Sequence, residues 1–268
     1  MTAAMDKILV FIPAYRCEAQ IVRVLKQFSA PEISARFAQI MVVDNRSPDH
    51  TVDVALSGAH ALALGKVAVV RNQDNYGLGG SHKAAFTHAV EHGFTHVVVL
   101  HGDDQGSIAD LLPVLDQGLH NQFDACLGAR FMPQSRLVGY SRFRIFGNRV
   151  FNFLFSVVTG RRLYDLGSGL NLYRVPPMAS SYWLRFHDNL MFNYCMILAH
   201  ARRRDKIHFF PISWREEDQV SNVKLASQAR RTLGILGRFA VTGKAFLTHE
   251  FRDQARAEYR FDVIEEGV

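Results

Sequence analysis

The 268-residue chain predicts an α/β fold built on one mostly parallel, doubly wound sheet. Short apolar, β-branched runs recur at Ile8–Ile12, Ile40–Val43, Val67–Val70 and Val97–Leu100, the pattern of strands buried on both faces. A segment with helical spacing follows each run, and strands alternating with helices imply parallel pairing. Several runs also end abruptly on polar residues, where open α/β sheets bind their ligands.

Taken in order, Pro13 stops the first strand, and Ile21, Leu25 and Phe28 give Glu18–Phe28 a helical face. The second strand ends on Asp44-Asn45, and Thr51 caps a helix running to about Leu64. After the third strand comes a glycine-rich loop, Asn72 to Gly80, and then a helix from about Ser81 to His92. The fourth strand, His96–Leu100, turns sharply polar at His101-Gly102-Asp103-Asp104-Gln105. Ser107 caps a helix over Ile108–Leu119 that Pro113 bends, and Ala125–Ala129 is a fifth strand. Beyond Arg130 the alternation breaks down. Val138–Val158 reads as one long helix, rich in phenylalanine and basic at Arg142, Arg144 and Arg149. Leu163–Tyr173 is irregular or strand, Asp188–Ala201 a helix, His208–Pro211 a strand and Leu225–Leu247 helical, with a charged tail from Glu250.

Hydrophobic content of 48% and charged content of 21% are ordinary for a globular protein. The net charge of +6 and pI near 9.4 favour anionic partners such as phosphorylated ligands or acidic lipid headgroups. No nucleic-acid recognition motif accompanies that charge, so a nucleic-acid partner is not expected. Cys17, Cys126 and Cys195 are far apart, odd in number and without metal-type spacing, as in a reduced cytoplasmic protein. The chain enters its first strand at once, so no secretory signal is expected, and no apolar run is long enough for a bilayer span. A peripheral membrane contact stays open.

Three stretches carry candidate chemistry. Asp44 ends a strand and can accept hydrogen bonds from a nucleobase imide or a ribose hydroxyl, although the glycine fingerprint of a dinucleotide fold is missing after the first strand. In an extended backbone His101, Asp103 and Gln105 would share one direction, and that donor set can hold Mg²⁺ or Mn²⁺. The competing reading makes His101 an uncharged strand-end histidine. Arg215 with Ser221 and Lys224 combines a planar guanidinium and an ammonium suited to a diphosphate. Gly77, Gly79 and Gly80 fit either a ligand-approaching loop or close strand–helix packing.

Together, from Ile8 to about Lys224, these motifs resemble the family 2 glycosyltransferases of GT-A fold, in particular the dolichyl- and polyprenyl-phosphate sugar synthases. The resemblance implies that Pro13, Ala14, Tyr15 and Glu18 line the nucleotide pocket, that Asp44 contacts the base, and that Asn75 and Gly77 approach the nucleotide sugar. It implies a metal site at Asp103 and Gln105, with His101 standing where the family usually has Asp. Ser168-Gly169 would lie near donor sugar and acceptor, and Arg215, Ser221 and Lys224 in the loop covering the diphosphate. It further implies a GT-A domain over residues 1–224, its nucleotide half about 1–106 and its acceptor half about 107–224, followed by an amphipathic helix and charged tail over 225–268.

The chemistry so implied is inverting transfer from a UDP- or GDP-linked sugar, with Mg²⁺ or Mn²⁺ and Arg215 stabilising the departing diphosphate. A phosphate acceptor needs no protein base, whereas a sugar hydroxyl does. Asp188 lies about where hydroxyl-glycosylating relatives carry a catalytic carboxylate, and helix capping by Asp188 or Asn189 is the plainer alternative. The basic, phenylalanine-rich helix favours a lipid-phosphate acceptor at the inner face of the cytoplasmic membrane. The open alternatives are transfer to a glycan hydroxyl and a non-catalytic nucleotide-sugar-binding protein.

Overall fold

In the computed structural model, which describes residues 6–216 and 225–267, the strands are β1 (Ile8–Ala14), β2 (Gln39–Asp44), β3 (Val67–Asn72), β4 (His96–Leu100), β5 (Ala125–Ala129), β6 (Arg136–Val138), β7 (Leu170–Arg174), β8 (Ile207–Pro211), β9 (Ser213–Arg215) and β10 (Phe261–Glu266). Eight form one sheet in the order β10-β3-β2-β1-β4-β7-β5-β8, and β6 pairs with β9. The β1–β2, β2–β3, β1–β4 and β5–β8 pairs are parallel. Both faces are covered. Ile8, Val10 and Ile12 enter one core and Leu9 and Phe11 the other, the period-two division of a doubly buried strand.

The α-helices are α1 (Ile21–Lys26), α2 (Pro31–Ser34), α3 (Thr51–Ala61), α4 (Gly77–Glu91), α5 (Leu112–Asp116), α6 (Leu119–Gln122), α7 (Arg142–Thr159), α8 (Phe192–Arg203) and α9 (Leu225–Thr242). Several boundaries differ from the sequence reading for physical reasons. Pro13 stays inside β1, because at the strand's end only its carbonyl is used, accepting from Gly102 N at 3.1 Å. Thr51 is the first residue of α3 rather than its cap; its hydroxyl accepts from Cys17 N at 2.9 Å and donates to Asp49 Oδ1 at 2.6 Å. The span expected as one bent helix breaks into a 3-10 turn, Ile108–Leu111, and the short α5 and α6, while Ser107 Oγ does accept from Ala109 N at 3.3 Å. The glycines expected in a loop form the first turn of α4.

Two features change the architecture. β7 runs antiparallel between β4 and β5, which the sequence left as irregular or strand. The charged tail expected from Glu250 instead returns to the sheet as β10, antiparallel on the edge strand β3. Asp262, Glu265 and Glu266 make it a charged strand, which suits an exposed sheet edge. Among the described residues no helix is long and apolar enough to cross a membrane.

Candidate functional site

Strand order reverses around β1, which has β2 on one side and β4 on the other, so the crevice beyond their carboxyl ends is a topological switch point. Pro13 and Ala14 are buried there, while Tyr15 and Glu18 are exposed, with Glu18 Oε2 accepting from His50 N at 3.0 Å. Asp44 is fully buried at the end of β2; it accepts from Arg71 Nε at 2.9 Å and Ser47 N at 3.1 Å. Its side chain has no exposed surface, so Arg71 and Ser47 hold the carboxylate in place beneath the crevice. Asp44, Asp49 and Asp103 all surround Cys17, whose thiol is pushed up to about 12, by burial first and then by this negative field. Asn45 extends the floor of the crevice. Its amide donates to Asn75 Oδ1 at 2.8 Å, and its Oδ1 accepts from Asn72 Nδ2 at 3.0 Å and Tyr76 N at 2.9 Å. This staple between β2, β3 and the start of α4 went unseen in the sequence, where isolated asparagines carry no signal.

After β4 the chain does not stay extended. Asp104 has φ of +58°, and Asp103 Oδ1 accepts from Gln105 N at 3.2 Å. The alternating-phase argument for a shared direction of His101, Asp103 and Gln105 therefore fails, and the turn decides where they point. Gly102 passes so close over β1 that a Cβ there would lie 3.0 Å from Pro13 O. Burial, with a smaller push from Asp104, raises the Asp103 carboxyl to about 6, and no cation among the described residues pairs with it. Asp104 does the opposite work. It binds Arg23 Nε at 2.8 Å, Arg215 Nη2 at 3.0 Å and Gln27 Nε2 at 3.3 Å. Arg215 N also donates to Gln105 O at 3.0 Å, so β9 brings Arg215 to the turn, beside a cavity of about 440 Å³ that Gln105 and Lys26 also line. Arg23 and Gln27 were missed because they meet this turn only through folding.

His101 N donates to Gly169 O at 2.9 Å, and its ring is enclosed; a Cβ on Gly169 would lie 2.9 Å from His101 Cγ and 3.0 Å from Trp214. His101 Nε2 is buried with no partner among the described residues. Burial, and then Arg130, hold its ring down to about 4, so it is a neutral imidazole at pH 7. Ser168 Oγ is committed to Leu170 O at 3.0 Å, so Ser168-Gly169 packs behind the turn. Nearby Arg130 grips Asp165 through Nε and Nη2 at 2.7 and 2.8 Å. Among the described residues no three His, Cys, Asp or Glu side chains form a metal-holding group. Ser221 and Lys224 lie outside the described residues.

Asp188 is not at a helix start. α8 begins at Phe192, and Asn189 Oδ1 accepts from Met191 N at 2.9 Å, so the capping alternative does not hold for Asp188. Instead Asp188 Oδ1 receives Lys83 Nζ and Tyr259 OH, each at 2.6 Å. Gly77 and Gly79 serve this packing: Cβ atoms there would lie 2.5 Å from Asp188 O and 2.3 Å from His187 O.

The family model for "Glycosyl transferase family 2" matches residues 9–180. The chain belongs to that family. Among sequence relatives of this family 2 chain, the uncharacterized protein MJ1222 of Methanocaldococcus jannaschii is 27% identical over 168 residues, 63% of this chain and 65% of that protein. Undecaprenyl-phosphate 4-deoxy-4-formamido-L-arabinose transferase of Salmonella paratyphi A is 24% identical over 209 residues, 76% of this chain and 59% of that protein. The chain thus spans less than two thirds of these relatives' lengths. Glucosyl-3-phosphoglycerate synthase from Mycobacterium tuberculosis, solved with UDP, superposes with a TM-score of 0.64 at 16% identity over 88% of this chain and 80% of that one. The same enzyme has been solved with Mn²⁺ and UDP-glucose, at a TM-score of 0.62 and 15% identity over 88% and 80% of the two chains. S. aureus TarS 1-349 superposes with a TM-score of 0.59 at 15% identity, over 89% and 66%. These likenesses establish the fold as GT-A.

Proposed function

We propose that this family 2 chain is an inverting glycosyltransferase that moves a sugar from a UDP- or GDP-linked donor to a polyprenyl-phosphate acceptor. The observation that carries the reading is Asp103, a half-buried carboxylate with no cation paired to it among the described residues, beyond the carboxyl ends of β1 and β4 and within the field that also holds Asp44. The residues fit a hard divalent cation. Mg²⁺ is commonly held by one or two carboxylates plus substrate phosphates rather than by a dedicated cage, so the lack of a three-ligand group among the described residues is compatible with it. Asp103 would hold Mg²⁺ or Mn²⁺, with Gln105 and the unpartnered neutral His101 as further donors. When bound, the ion supplies charge stabilisation to the leaving diphosphate.

The chain's own residues do the rest. Pro13, Ala14, Tyr15, Glu18 and Asp44 form the nucleotide side, and Asn75 with Gly77 fixes the start of α4 beside it. Arg215 adds positive charge next to the metal turn, and Ser221 and Lys224 would add to it at the diphosphate. Ser168-Gly169 backs the donor sugar. Asp188 holds its loop rather than taking a proton, since one of its oxygens is already committed to Lys83 and Tyr259. A phosphate acceptor, anionic at neutral pH, requires no such base.

Acceptor class is supported by α7. Phe143, Phe146, Phe153 and Val157 are 72%, 68%, 66% and 63% exposed and follow helical spacing, with Arg142 and Arg149 alongside. That is the pattern of a helix lying at an anionic membrane surface, here the inner face of the cytoplasmic membrane. The naming of an undecaprenyl-phosphate transferase among the relatives agrees with it. The test is a binding screen of UDP, GDP, CDP and dTDP with and without Mn²⁺, followed by turnover with polyprenyl phosphate. A clear preference for UDP or GDP that strengthens with Mn²⁺, and product on the lipid phosphate, is expected. Absence of nucleotide binding would overturn the reading, and transfer only to a sugar hydroxyl would reassign the acceptor.

A further inference from the structure

A second basic feature lies away from Asp103. α8 runs back against the parallel strands and feeds β8 through Arg204, whose φ of +62° ends the helix, so the end of α8 sits at the amino edge of the sheet. There a cavity of about 790 Å³ opens between the last turns of α7 and α8 and the helix α9. Arg202, Arg203, Arg204 and Lys244 line it, with Thr159 and Phe239, and no carboxylate does. The carbonyl ends of α7 and α8 offset part of this charge. Arg203 is further satisfied by Asp205, its Nε lying 3.1 Å from Oδ2. The other cations lack such a match. Arg202 Nη2 donates to Phe239 O at 2.6 Å and the guanidinium lies 4.1 Å from the Phe239 ring centre, but its Nε is buried with no acceptor among the described residues. No carboxylate among the described residues pairs with Arg202, Arg204 or Lys244. Arg202 is half-buried with that N–H unused, while Arg204 and Lys244 are exposed at the rim, so the cavity gathers positive charge that only Asp205 offsets among the described residues.

Val158, 39% exposed and one residue past Val157, lines the cavity with Thr159, so α7 carries both the exposed stripe and one wall of the cavity. We propose that it holds the phosphate of an acidic lipid headgroup while the α7 stripe rests on the bilayer. The phenylalanines supply apolar insertion without charge selectivity, and the cavity supplies the selectivity for anionic lipid. The inference rests on the lipid-surface reading of α7 given above, and on no property of the nucleotide site.

Vesicle flotation of the full chain tests it, using phosphatidylcholine alone and phosphatidylcholine with phosphatidylglycerol. Binding to the mixed vesicles and little to the neutral ones is expected. Arg204→Gln with Lys244→Gln, both at the cavity mouth, should weaken partitioning about thirtyfold, the effect of two cations at an anionic surface. Phe146→Glu with Phe153→Glu should abolish binding to both vesicle types. UDP binding in the Arg204/Lys244 variant should match the parent, which separates failure here from failure of the transferase reading. Undiminished vesicle binding by the Arg204/Lys244 variant overturns the proposal, as does failure of the parent chain to float. A thermal shift with inorganic phosphate that the variant loses, while its vesicle binding persists, would make the cavity a free-anion site and overturn the lipid assignment.

Discussion

Lys83, fully buried in the middle of α4, donates to Asp188 at 2.6 Å and so ties the helix after β3 to the loop before α8. Tyr259 adds the C-terminal segment to the same carboxylate. Burial drags the Lys83 ammonium down to about 8 despite the pull of Asp188. Removing one partner from such a pair leaves an uncompensated charge. Lys83→Ala should therefore destabilise the fold by about 3–5 kcal/mol in denaturant titrations. Tyr259→Phe, which deletes the hydroxyl's bond to Asp188 and the one it accepts from Lys83, should cost about 2 kcal/mol. Asp188→Asn separates the acceptor classes. Turnover of lipid phosphate within about tenfold of the parent, with an unchanged pH profile, is expected; a loss of about 100-fold or more would make Asp188 a base.

Asp103→Asn should abolish metal-stimulated turnover and yet stabilise the protein. The folded carboxyl titrates near 6, above its ordinary value of 3.8, so the native state holds the proton more tightly than the unfolded chain. Stability contributed by that site is therefore lost as pH rises from about 4 through 6. The variant should gain about 1–2 kcal/mol at pH 7 in denaturant titrations, and nothing at pH 3.5. Mn²⁺ affinity of the parent chain, read calorimetrically, should rise across the same window as the carboxyl ionises.

Four histidines, His82 and His96 buried and His88 and His101 half-buried, work in the opposite direction. Burial holds His82 down to about 3 and His88, His96 and His101 down to about 4, each from an ordinary 6.5. Here the unfolded chain binds more protons, so stability is present above pH 6.5 and is lost on acidification through that range. With four such groups against Asp103, Tm measured by calorimetry should fall from pH 7 to pH 5. His101→Asn would reduce that slope.

The glycines offer a paired test. Gly79→Ala drives a Cβ to 2.3 Å from the His187 carbonyl, a backbone atom, and should destabilise by at least about 2 kcal/mol. Gly147, inside α7, has nothing within 4 Å of an added Cβ. Gly147→Ala should stabilise by about 0.5–1 kcal/mol through helix propensity. Equal effects at the two positions in thermal melts would contradict the packing described around Asp188.

The sequence by itself determined the alternation of strand and helix, the buried parallel runs and the positions where polar residues leave them. Those features are local: a run of Val and Ile with period-two burial needs no distant partner to be recognised. The likeness that named Asp44, Asp103 and Arg215 is also carried by contiguous residues. Tertiary structure alone decided what depends on contacts between segments far apart in the chain. It placed β7 antiparallel inside the sheet and returned the charged C-terminal stretch to the edge as β10. It turned the chain at Asp104, so that the prominent Asp103-Asp104 pair divides into a half-buried carboxylate with no cation among the described residues and a buried one held by Arg23 and Arg215. It also bound Asp188 to Lys83, 105 residues earlier, and to Tyr259, 71 residues later. No spacing along the chain announces pairings of that separation, because they offset the cost of burying charge, and that burial exists only once the sheet and its helices are packed.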